Sequence, residues 1–420
     1  MHPNALLELC AELVAAVNKL DAPADATVSA FFRQHKNLGQ RERASLAETV
    51  YALLRERLKF QHLAQSGSGP LPRRLAMLAW RGNAGFLRGA LKPAEQQWLD
   101  QVGAIAPESL APKLRHNLPD WLAEPLMARL GEAEFWQLAA ALNEPAPLDL
   151  RVNTLKLKRE EAQAQLQAAG IEAVPTPYSP LGLRIQGKPA LNKLELFTSG
   201  GVEVQDEGSQ LLALLLAPKR GEMVVDFCAG AGGKTLALGA AMRNTGRLYA
   251  FDVSGHRLDA LKPRLARSGL SNVYPAQIAH ERDDRIKRLA GKIDRVLVDA
   301  PCSGLGTLRR NPDLKWRQSP QALAELQGKQ RAILASAARL VKPGGRLVYA
   351  TCSLLDAENE VIAAEFTAAN PGFQRLAADE VLARSQVERA AELVEDGALR
   401  LWPHRHATDG FFAVAWERTP

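Results

Sequence analysis

The chain has 420 residues, of which 46% are hydrophobic and 24% are charged, and this balance excludes a wholly disordered protein. The length exceeds that of one ordinary domain and predicts two or three. The net charge of +7 favours a polyanionic partner such as nucleic acid.

The four cysteines include no C-x-x-C pair, so the sequence offers neither a disulfide framework nor a zinc-ligand spacing. They are Cys10, Cys228, Cys302 and Cys352. No apolar run approaches the roughly 20 residues needed to span a bilayer. Acidic residues among the first apolar positions indicate an amphipathic helix and not a signal peptide. We therefore expect a soluble protein of the reducing cytoplasm.

From Asn4 to about Leu142, apolar residues recur at three- and four-residue spacing, which predicts a helix bundle. Two basic runs lie within it. Seven basic residues face three acids between Arg33 and Lys59, and five more occur from Arg73 to Lys92 without any acid. Such runs form either a solvated helical surface or a face that contacts phosphates, and the sequence leaves both open.

Pro145 and Pro147 cannot continue a helix and mark a boundary. A small α/β unit is predicted beyond them, up to about Phe197. Its expected strands and helix are Leu148 to Asn153, Lys158 to Ala169 (helix), Ile171 to Val174 and Leu183 to Gln186.

From Gly201 onward, apolar runs alternate with helical stretches, which is typical of a doubly wound parallel sheet. The predicted strands are Met223 to Phe227, Arg247 to Phe251, Val273 to Ile278, Ile293 to Val298 and Arg346 to Ala350. The tail, Leu399 to Trp402 and Phe411 to Trp416, predicts an antiparallel hairpin.

A glycine-rich loop, Asp226 to Thr235, follows the first of these strands and opens a helix. It is not a P-loop, because Cys228 stands where the first glycine must be, and its glycines also miss the G-x-G-x-x-G spacing. Asp252 closes the second strand, where an acid can accept hydrogen bonds from ribose hydroxyls. The loop and the acid together indicate an adenosine-containing cofactor.

Two cysteines follow the fourth and fifth strands, in Asp299 to Gly304 and in Thr351-Cys-Ser353. Because ligands bind at the carboxyl ends of such strands, we expect Asp299, Cys302 and Cys352 to converge beside the cofactor. One such cysteine is commonly a small buried hydrophobe, but two at a cofactor site suggest chemistry.

A thiolate that adds to C6 of cytosine activates C5 for methylation. That thiolate requires an electropositive site, and the sulfonium of a methyl donor and Lys234 are the candidates for the positive charge. Asp299 could act as a general acid if burial raises its pKa. Amine methyltransferases use an Asn/Asp-Pro-Pro-aromatic loop at this place, which Asp299-Ala-Pro-Cys302 does not match.

These motifs resemble those of the RsmB/Sun (Fmu) family of ribosomal RNA cytosine-C5 methyltransferases, in the same order and over nearly the whole chain. They are Arg151-Val-Asn153, Val204 to Gln210, Cys228 to Thr235, Asp299 to Gly304, Arg310 to Trp316, Tyr349 to Ser353 and Thr408 to Phe412.

The resemblance implies a multidomain α and α/β protein. Residues 1–144 would form a NusB-like helical RNA-binding domain, and residues 145–200 a small RNA-recognition-like subdomain. Residues 201–420 would form a Rossmann-like class I methyltransferase domain with a mostly parallel seven-stranded sheet. It also implies S-adenosylmethionine as cofactor, small-subunit ribosomal RNA as partner, no metal, no membrane and a monomer.

The resemblance also assigns roles. Cys352 would be the nucleophile, Cys302 would assist release of the methylated product, and Asp299 and Lys234 would complete the catalytic set. The residues expected to bind the cofactor are Cys228, Ala229, Gly230, Ala231, Gly232, Gly233, Lys234, Asp252, Arg257, His280 and Asp299. Those expected to contact RNA are Arg151, Asn153, Arg309, Arg310, Lys315 and Trp316.

Two positions depart from the family pattern. Gly230-Ala231 replaces the usual Ala-Pro, which removes no side-chain ligand. The third strand of the family ends in an aspartate that faces the adenine amino group, whereas this chain has Ala279-His280-Glu281 there, so His280 is the candidate acceptor. Two alternatives stay open: an enzyme for tRNA or another RNA, and a non-catalytic RNA-binding assembly factor with the same fold.

Overall fold

The computed structural model describes residues 1–187 and 189–420, which divide into two compact units. The first unit comprises Met1–Pro145 and Thr307–Pro320, and the second comprises Ala146–Gly306 and Gln321–Pro420. The domain boundaries expected at residues 144 and 200 stay predictions. No helix in the described ranges is both long and apolar enough to cross a membrane.

The helices follow in chain order. They are α1 (Pro3–Asn18), α2 (Ala24–Gln34), α3 (Gln40–Arg55), α4 (Arg57–Leu63), α5 (Leu71–Ala79), α6 (Ala84–Arg88), α7 (Pro93–Gly103), α8 (Pro112–His116), α9 (Asp120–Leu130), α10 (Glu132–Leu142), α11 (Arg159–Ala168), α12 (Glu195–Thr198), α13 (Glu207–Leu216), α14 (Gly233–Ala241), α15 (Gly255–Ser268), α16 (Asp284–Lys287), α17 (Leu314–Arg317), α18 (Pro320–Ala338), α19 (Glu360–Ala369), α20 (Ala378–Arg384) and α21 (Pro403–His406).

The strands are β1 (Leu148–Val152), β2 (Ala173–Pro175), β3 (Gly182–Ile185), β4 (Val202–Val204), β5 (Met223–Asp226), β6 (Arg247–Asp252), β7 (Val273–Gln277), β8 (Ile293–Asp299), β9 (Val341–Thr351), β10 (Phe373–Leu376), β11 (Val394–Glu395), β12 (Ala398–Leu401) and β13 (Phe411–Arg418).

The first unit is helical, as the apolar spacing predicts. In α1 the residues Leu6, Leu13 and Val17 are buried on one face, because three- and four-residue steps return to the same side of a helix. Cys10 belongs to the same core and is fully buried. Trp316, from the later segment of this unit, packs against that core.

The second unit contains a small four-stranded sheet in the order β2-β3-β1-β4, all antiparallel. The sequence predicts β1, β2 and β3 but not β4. This strand is only three residues long, and it pairs with β1 fifty residues earlier through Leu150 and Val204. One face of the sheet, with α11, encloses a core of its own.

The large sheet of the second unit runs β11-β12-β13-β9-β8-β5-β6-β7, and β10 pairs with β13. Strands β5 to β9 are parallel to their neighbours, while β9 pairs antiparallel with β13. The hairpin predicted in the tail is confirmed by the pairing of Leu399 with Ala413. Seven of these strands, β5 to β9 with β12 and β13, fit the predicted methyltransferase sheet, and β10 and β11 extend it.

Both faces of the central strands β5, β8 and β9 are largely buried, which explains why these strands are mostly apolar runs. Val224 faces one apolar cluster and Val225 the other, as successive side chains of a strand must. The buried faces leave the carboxyl ends of the strands for polar residues. Asp226, Asp252, Asp299 and Thr351 are the last residues of β5, β6, β8 and β9.

Candidate active site

The glycine-rich loop joins β5 to α14 and leaves room for a ligand. Gly232 has φ +83°, and a Cβ there would lie 2.1 Å from Leu261 Cδ1, so only glycine fits. Gly230 has φ +56°, and nothing lies within 4 Å of where its Cβ would be. The Gly230 N–H donates to Asp252 Oδ2 at 2.8 Å, which ties the loop to the end of β6.

Asp252 is 5% exposed, and its other carboxylate oxygen accepts from Ser254 N at 2.8 Å. Each oxygen has a further lone pair with which to accept from a ribose hydroxyl. Arg257 lies in the first turn of α15, is exposed and interacts electrostatically with Cys228. The open space at Gly230 and the fixed carboxylate of Asp252 therefore fit an adenosine-containing cofactor.

Cys228 lies in this loop but is not poised as a nucleophile. Burial raises the pKa of its thiol well above the usual value, and the carboxylates of Asp226, Asp299 and Asp252 raise it further. A thiol held neutral in this way reacts slowly, since the thiolate is the reactive form.

Cys302 and Cys352 are brought together as predicted. They follow the neighbouring parallel strands β8 and β9, in which Asp299 pairs with Ala350, and their sulfur atoms lie 3.4 Å apart. The hydrogen bond to Cys352 and then burial raise the pKa of Cys302. Cys302 thus keeps its proton and can donate a hydrogen bond to the Cys352 sulfur.

Lys234 and Asp299 form an ion pair beside these cysteines, with Nζ 2.6 Å from Oδ2. Burial alone would lower the pKa of Lys234, but the charge and hydrogen bond of Asp299 outweigh it, and Cys352 adds to the rise. Lys234 therefore stays a cation near Cys352. Asp299 Oδ2 accepts the hydrogen bond of this pair, and its role as a general acid stays a prediction.

Glu358 organises both cysteine loops, and no signal in the sequence indicated it. Its carboxylate is fully buried and accepts from Ser303 N at 2.8 Å, Ser303 Oγ at 2.5 Å and Gln330 Nε2 at 2.9 Å, and also from Ser353 Oγ. Ser303 follows Cys302 and Ser353 follows Cys352. One carboxylate thus fixes the residues next to both thiols.

A backbone contact fixes Cys352 further. The Gly306 N–H donates to the Cys352 carbonyl at 2.8 Å, and the Gly306 carbonyl accepts from Gly410 N at 2.9 Å. A Cβ on Gly306 would lie 2.0 Å from the Gly410 oxygen, so the approach requires glycine. The Gly410 loop, which the resemblance included only as a motif, therefore supports the site.

Two of the residues expected to contact RNA have structural roles in the second unit, which corrects that prediction. Arg151 is 3% exposed and donates to Gln205 Oε1 at 2.6 Å and to the Gly233 carbonyl at 2.8 Å. Asn153 is 5% exposed and donates to the carbonyls of Gly200 and Ser268. Neither side chain has a surface to offer RNA.

The same correction applies to Lys315 in the first unit, whereas RNA contact by Trp316 stays a prediction because its side chain is half-buried. Lys315 is 1% exposed, its Nζ donates to the Arg55 carbonyl at 2.7 Å, and burial lowers its pKa to about 7. Trp316 Nε1 donates to the Leu54 carbonyl at 2.7 Å, and its ring packs on the helical core. Arg309 and Arg310 are half-buried, and their contact with RNA stays a prediction.

The basic residues of the two runs have different environments in the structure. Arg73 is buried in ion pairs with Glu8 and Glu95, and Lys59 pairs with Glu56. Arg33 and Lys36, in contrast, are exposed and line an open groove with Phe32 and Arg43. Several residues of the basic runs thus form ion pairs within the protein. The prediction of a face that contacts phosphates is left for this groove.

Comparison with known proteins shows the family to which the chain belongs. Residues 213–417 match the family described as 16S rRNA methyltransferase RsmB/F, and residues 118–192 match the ferredoxin-like domain of RsmF/B-like methyltransferases. The chain is 35% identical over 333 residues to the probable ribosomal RNA small subunit methyltransferase B of Synechocystis, covering 79% of this chain and 74% of that protein.

Two further relatives extend the likeness. The probable ribosomal RNA small subunit methyltransferase B of Bacillus subtilis is 33% identical, over 80% of this chain and 74% of its own length. The crystal structure of PH0851 superposes with a TM-score of 0.78 at 28% identity, covering 100% of this chain and 99% of that one. The chain therefore belongs to the RsmB/F (RsmB/Sun) family of methyltransferases, whose methyl donor is S-adenosylmethionine.

Proposed function

We propose that this methyltransferase transfers a methyl group to C5 of a cytosine in small-subunit (16S) ribosomal RNA through a covalent bond between Cys352 and C6. The observation that carries this proposal is the 3.4 Å separation of the two sulfur atoms beside the Lys234–Asp299 ion pair. A transfer to an exocyclic amine needs no thiol, whereas activation of C5 does.

Cytosine C5 is a poor nucleophile until a thiolate adds to C6. The addition breaks the C5–C6 double bond and makes C5 electron-rich, so that it can take the methyl group. S-adenosylmethionine supplies that electrophilic methyl group. Elimination of the C5 proton and of Cys352 then restores the aromatic ring and frees the enzyme.

Cys352 is the better nucleophile of the two cysteines. Cys302 retains its proton and can donate a hydrogen bond to the Cys352 sulfur. The Lys234 ammonium interacts with Cys352 as well. In this proposal Cys302 assists the elimination step, which is the role that the family resemblance gives it.

Lys234 and Asp299 act as one unit in this proposal. As sulfur adds to the ring, negative charge builds at N3 and O2 and must be relieved. Asp299 can accept a hydrogen bond from the N4 amine, or carry a proton to N3 that the Lys234 ammonium provides. Both residues would also border the methyl donor, because Lys234 belongs to the glycine-rich loop and its Nζ lies 2.6 Å from Asp299 Oδ2.

Small-subunit ribosomal RNA is the proposed substrate because the two curated relatives described above bear that name. The net charge of +7 and the basic groove at Arg33 and Lys36 support a polyanionic partner. We also propose the predicted division into a helical RNA-binding part, a small α/β part and a methyltransferase part. A monomer would suffice, since one chain holds every residue named above.

The test uses the full chain with methyl-tritiated S-adenosylmethionine and 16S ribosomal RNA from cells that lack the protein. We expect labelled 5-methylcytidine after digestion to nucleosides, and bisulfite sequencing then locates the base. Label in N4-methylcytidine would contradict the covalent mechanism, and label only in tRNA would contradict the substrate. Cofactor binding without transfer to any RNA would identify an assembly factor instead.

A further inference from the structure

The positions of the cysteines and of Asp252 determine which end of the methyl donor lies at which strand of the large sheet. The strand order is β9-β8-β5-β6-β7, and the cysteines follow β8 and β9. The sulfonium end of the donor must therefore approach the β8 side. Asp252, at the end of β6, is the acceptor for the ribose, so the adenine belongs beyond it, at the end of β7.

The end of β7 adjoins Asp252 directly. Asp252 pairs with Gln277, and the Ile278 N–H donates to the Asp252 carbonyl at 3.0 Å. An adenine amino group at this edge needs an acceptor, which Ala279 cannot supply from its side chain. His280 is exposed, and its Nδ1 accepts from Arg282 N at 3.1 Å, so the ring is already used in a local turn.

The carboxylate of Asp283, four residues after Ala279 in the chain, lies beside the end of β7. Its Oδ2 accepts from Ala279 N at 3.0 Å, and its Oδ1 accepts from Arg285 N at 2.9 Å. These two backbone hydrogen bonds lower the pKa of Asp283, so the group is ionised at neutral pH. Each oxygen has a lone pair left for a further donor.

Asp283 lines an open depression together with Gln277, Ile278 and Ala279. The other side-chain acceptors that line it are less suitable. Asp284 forms an ion pair with Lys287 at 2.9 Å. The amide nitrogen of Gln277 donates to the Val253 carbonyl at 3.1 Å, which leaves a neutral amide oxygen that accepts a weaker hydrogen bond than a carboxylate does. Asp283 is thus the acceptor that is both fixed by the backbone and placed against Ala279.

We propose that Asp283 binds the adenine amino group of S-adenosylmethionine and replaces, from a later position in the chain, the aspartate that is missing at Ala279. This proposal concerns the methyl donor and does not depend on which RNA base is methylated. It makes Asp283, and not His280, the residue that distinguishes adenine from a purine without the amino group.

The test compares two ligands by calorimetry on the full chain: S-adenosylhomocysteine and its deaminated analogue S-inosylhomocysteine, which carries a carbonyl in place of the amine. We expect the wild type to prefer the adenine ligand by about 10- to 100-fold, since hydrogen bonds to charged groups contribute that much. In Asp283→Ala the preference should fall to within about threefold, through weaker binding of the adenine ligand. Asp283→Asn, which keeps one acceptor oxygen, should be intermediate.

Two control variants separate recognition from folding. Asp284→Ala and His280→Ala should retain the wild-type preference. If Asp283→Ala weakened both ligands equally, its role would be to shape the turn, and the proposal would be overturned. It would also be overturned if His280→Ala abolished the preference while Asp283→Ala kept it. Because the readout is binding of a cofactor product, failure of RNA methylation does not affect the result.

Discussion

The sulfur atoms of Cys302 and Cys352 lie 3.4 Å apart although fifty residues separate them in the chain. At this distance one thiol can hydrogen-bond to the other, and both can reach the same base. A pair so placed can divide a two-stage reaction, in which one sulfur adds to the ring and the other assists its departure.

The first prediction concerns this division. Cys302→Ala should accumulate a covalent protein–RNA adduct, because addition proceeds while elimination is slowed. Cys352→Ala should form none. The measurement is the fraction of labelled RNA retained with protein on a denaturing gel. Adducts trapped by Cys352→Ala and absent in Cys302→Ala would reverse the two roles.

The second prediction concerns the ion pair at the site. Lys234→Met removes the ammonium and leaves Asp299 as an unpaired carboxylate, so single-turnover methyl transfer should fall by about 10²- to 10⁴-fold. Adduct formation should then require a higher pH than in the wild type. Lys262→Met, which breaks the exposed pair with Asp259, is the matched control and should change neither. Unchanged transfer in Lys234→Met would exclude the proposed role.

The third prediction concerns Glu358, which is fully buried. Glu358→Gln keeps the shape but turns an acceptor oxygen into a donor that faces Ser303 or Gln330. The free energy of unfolding in urea should fall by about 2–4 kcal/mol, since a buried donor loses its partner. Glu365→Gln, in a half-exposed pair with Arg331, should cost under about 1 kcal/mol. Equal losses in both variants would contradict the role assigned to the network.

The fourth prediction is a pH dependence of stability. Burial raises the pKa of Asp226 from 3.8 to about 7, against the opposing hydrogen bond from Thr235. Between these pH values the folded state keeps the proton and the unfolded state loses it, so this group's contribution to the free energy of unfolding falls as pH rises.

Asp226→Asn removes that dependence. The free energy of unfolding of Asp226→Asn, relative to that of the wild type, should therefore be higher at pH 8 than at pH 4, by at most about 4 kcal/mol. Urea unfolding at both pH values measures the difference. Asp259→Asn, at an exposed position, serves as the control and should show no such rise. An advantage that is the same at both pH values would show that Asp226 ionises normally.

The fifth prediction concerns the glycine that touches Cys352. Gly306→Ala forces its Cβ against the Gly410 carbonyl, which should destabilise the fold by about 1–3 kcal/mol and slow methyl transfer by displacing the Cys352 backbone. Gly328→Ala lies in α18 with nothing within 4 Å of the new Cβ, so it should be neutral or stabilise by up to about 1 kcal/mol. Full activity in Gly306→Ala would show that the contact is dispensable.

For the five parallel strands, the ends predicted from the sequence differ from the observed ends by a residue or two at most. Such strands are easy to recognise because strands buried on both faces are continuous apolar runs bounded by polar residues. The exception is β9, which begins five residues before the predicted Arg346. Convergence of Cys302 and Cys352 followed from the rule that parallel strands end at one edge. That rule could not show that β9 lies next to β8 and not next to β5.

Residues whose partners are distant in the chain could not be predicted. The charge of Lys315 and the motif that contains Arg151 are visible in the sequence and suggest RNA contacts. Their acceptors, the carbonyls of Arg55 and Gly233, are 260 and 82 residues away. Glu358 gave no signal either, because a buried carboxylate and a solvated one look alike until the donors around it are known.

The segment Thr307–Pro320 has a consequence for synthesis of the protein. It belongs to the first compact unit, where Trp316 and Lys315 bond to carbonyls of Leu54 and Arg55. At ordinary translation rates roughly 9 to 35 s pass between the emergence of Pro145 and that of Pro320. During that interval the amino-terminal helices lack the hydrogen bonds that Lys315 and Trp316 later donate to the carbonyls of Arg55 and Leu54, so the first unit can complete its fold only after Pro320 has emerged.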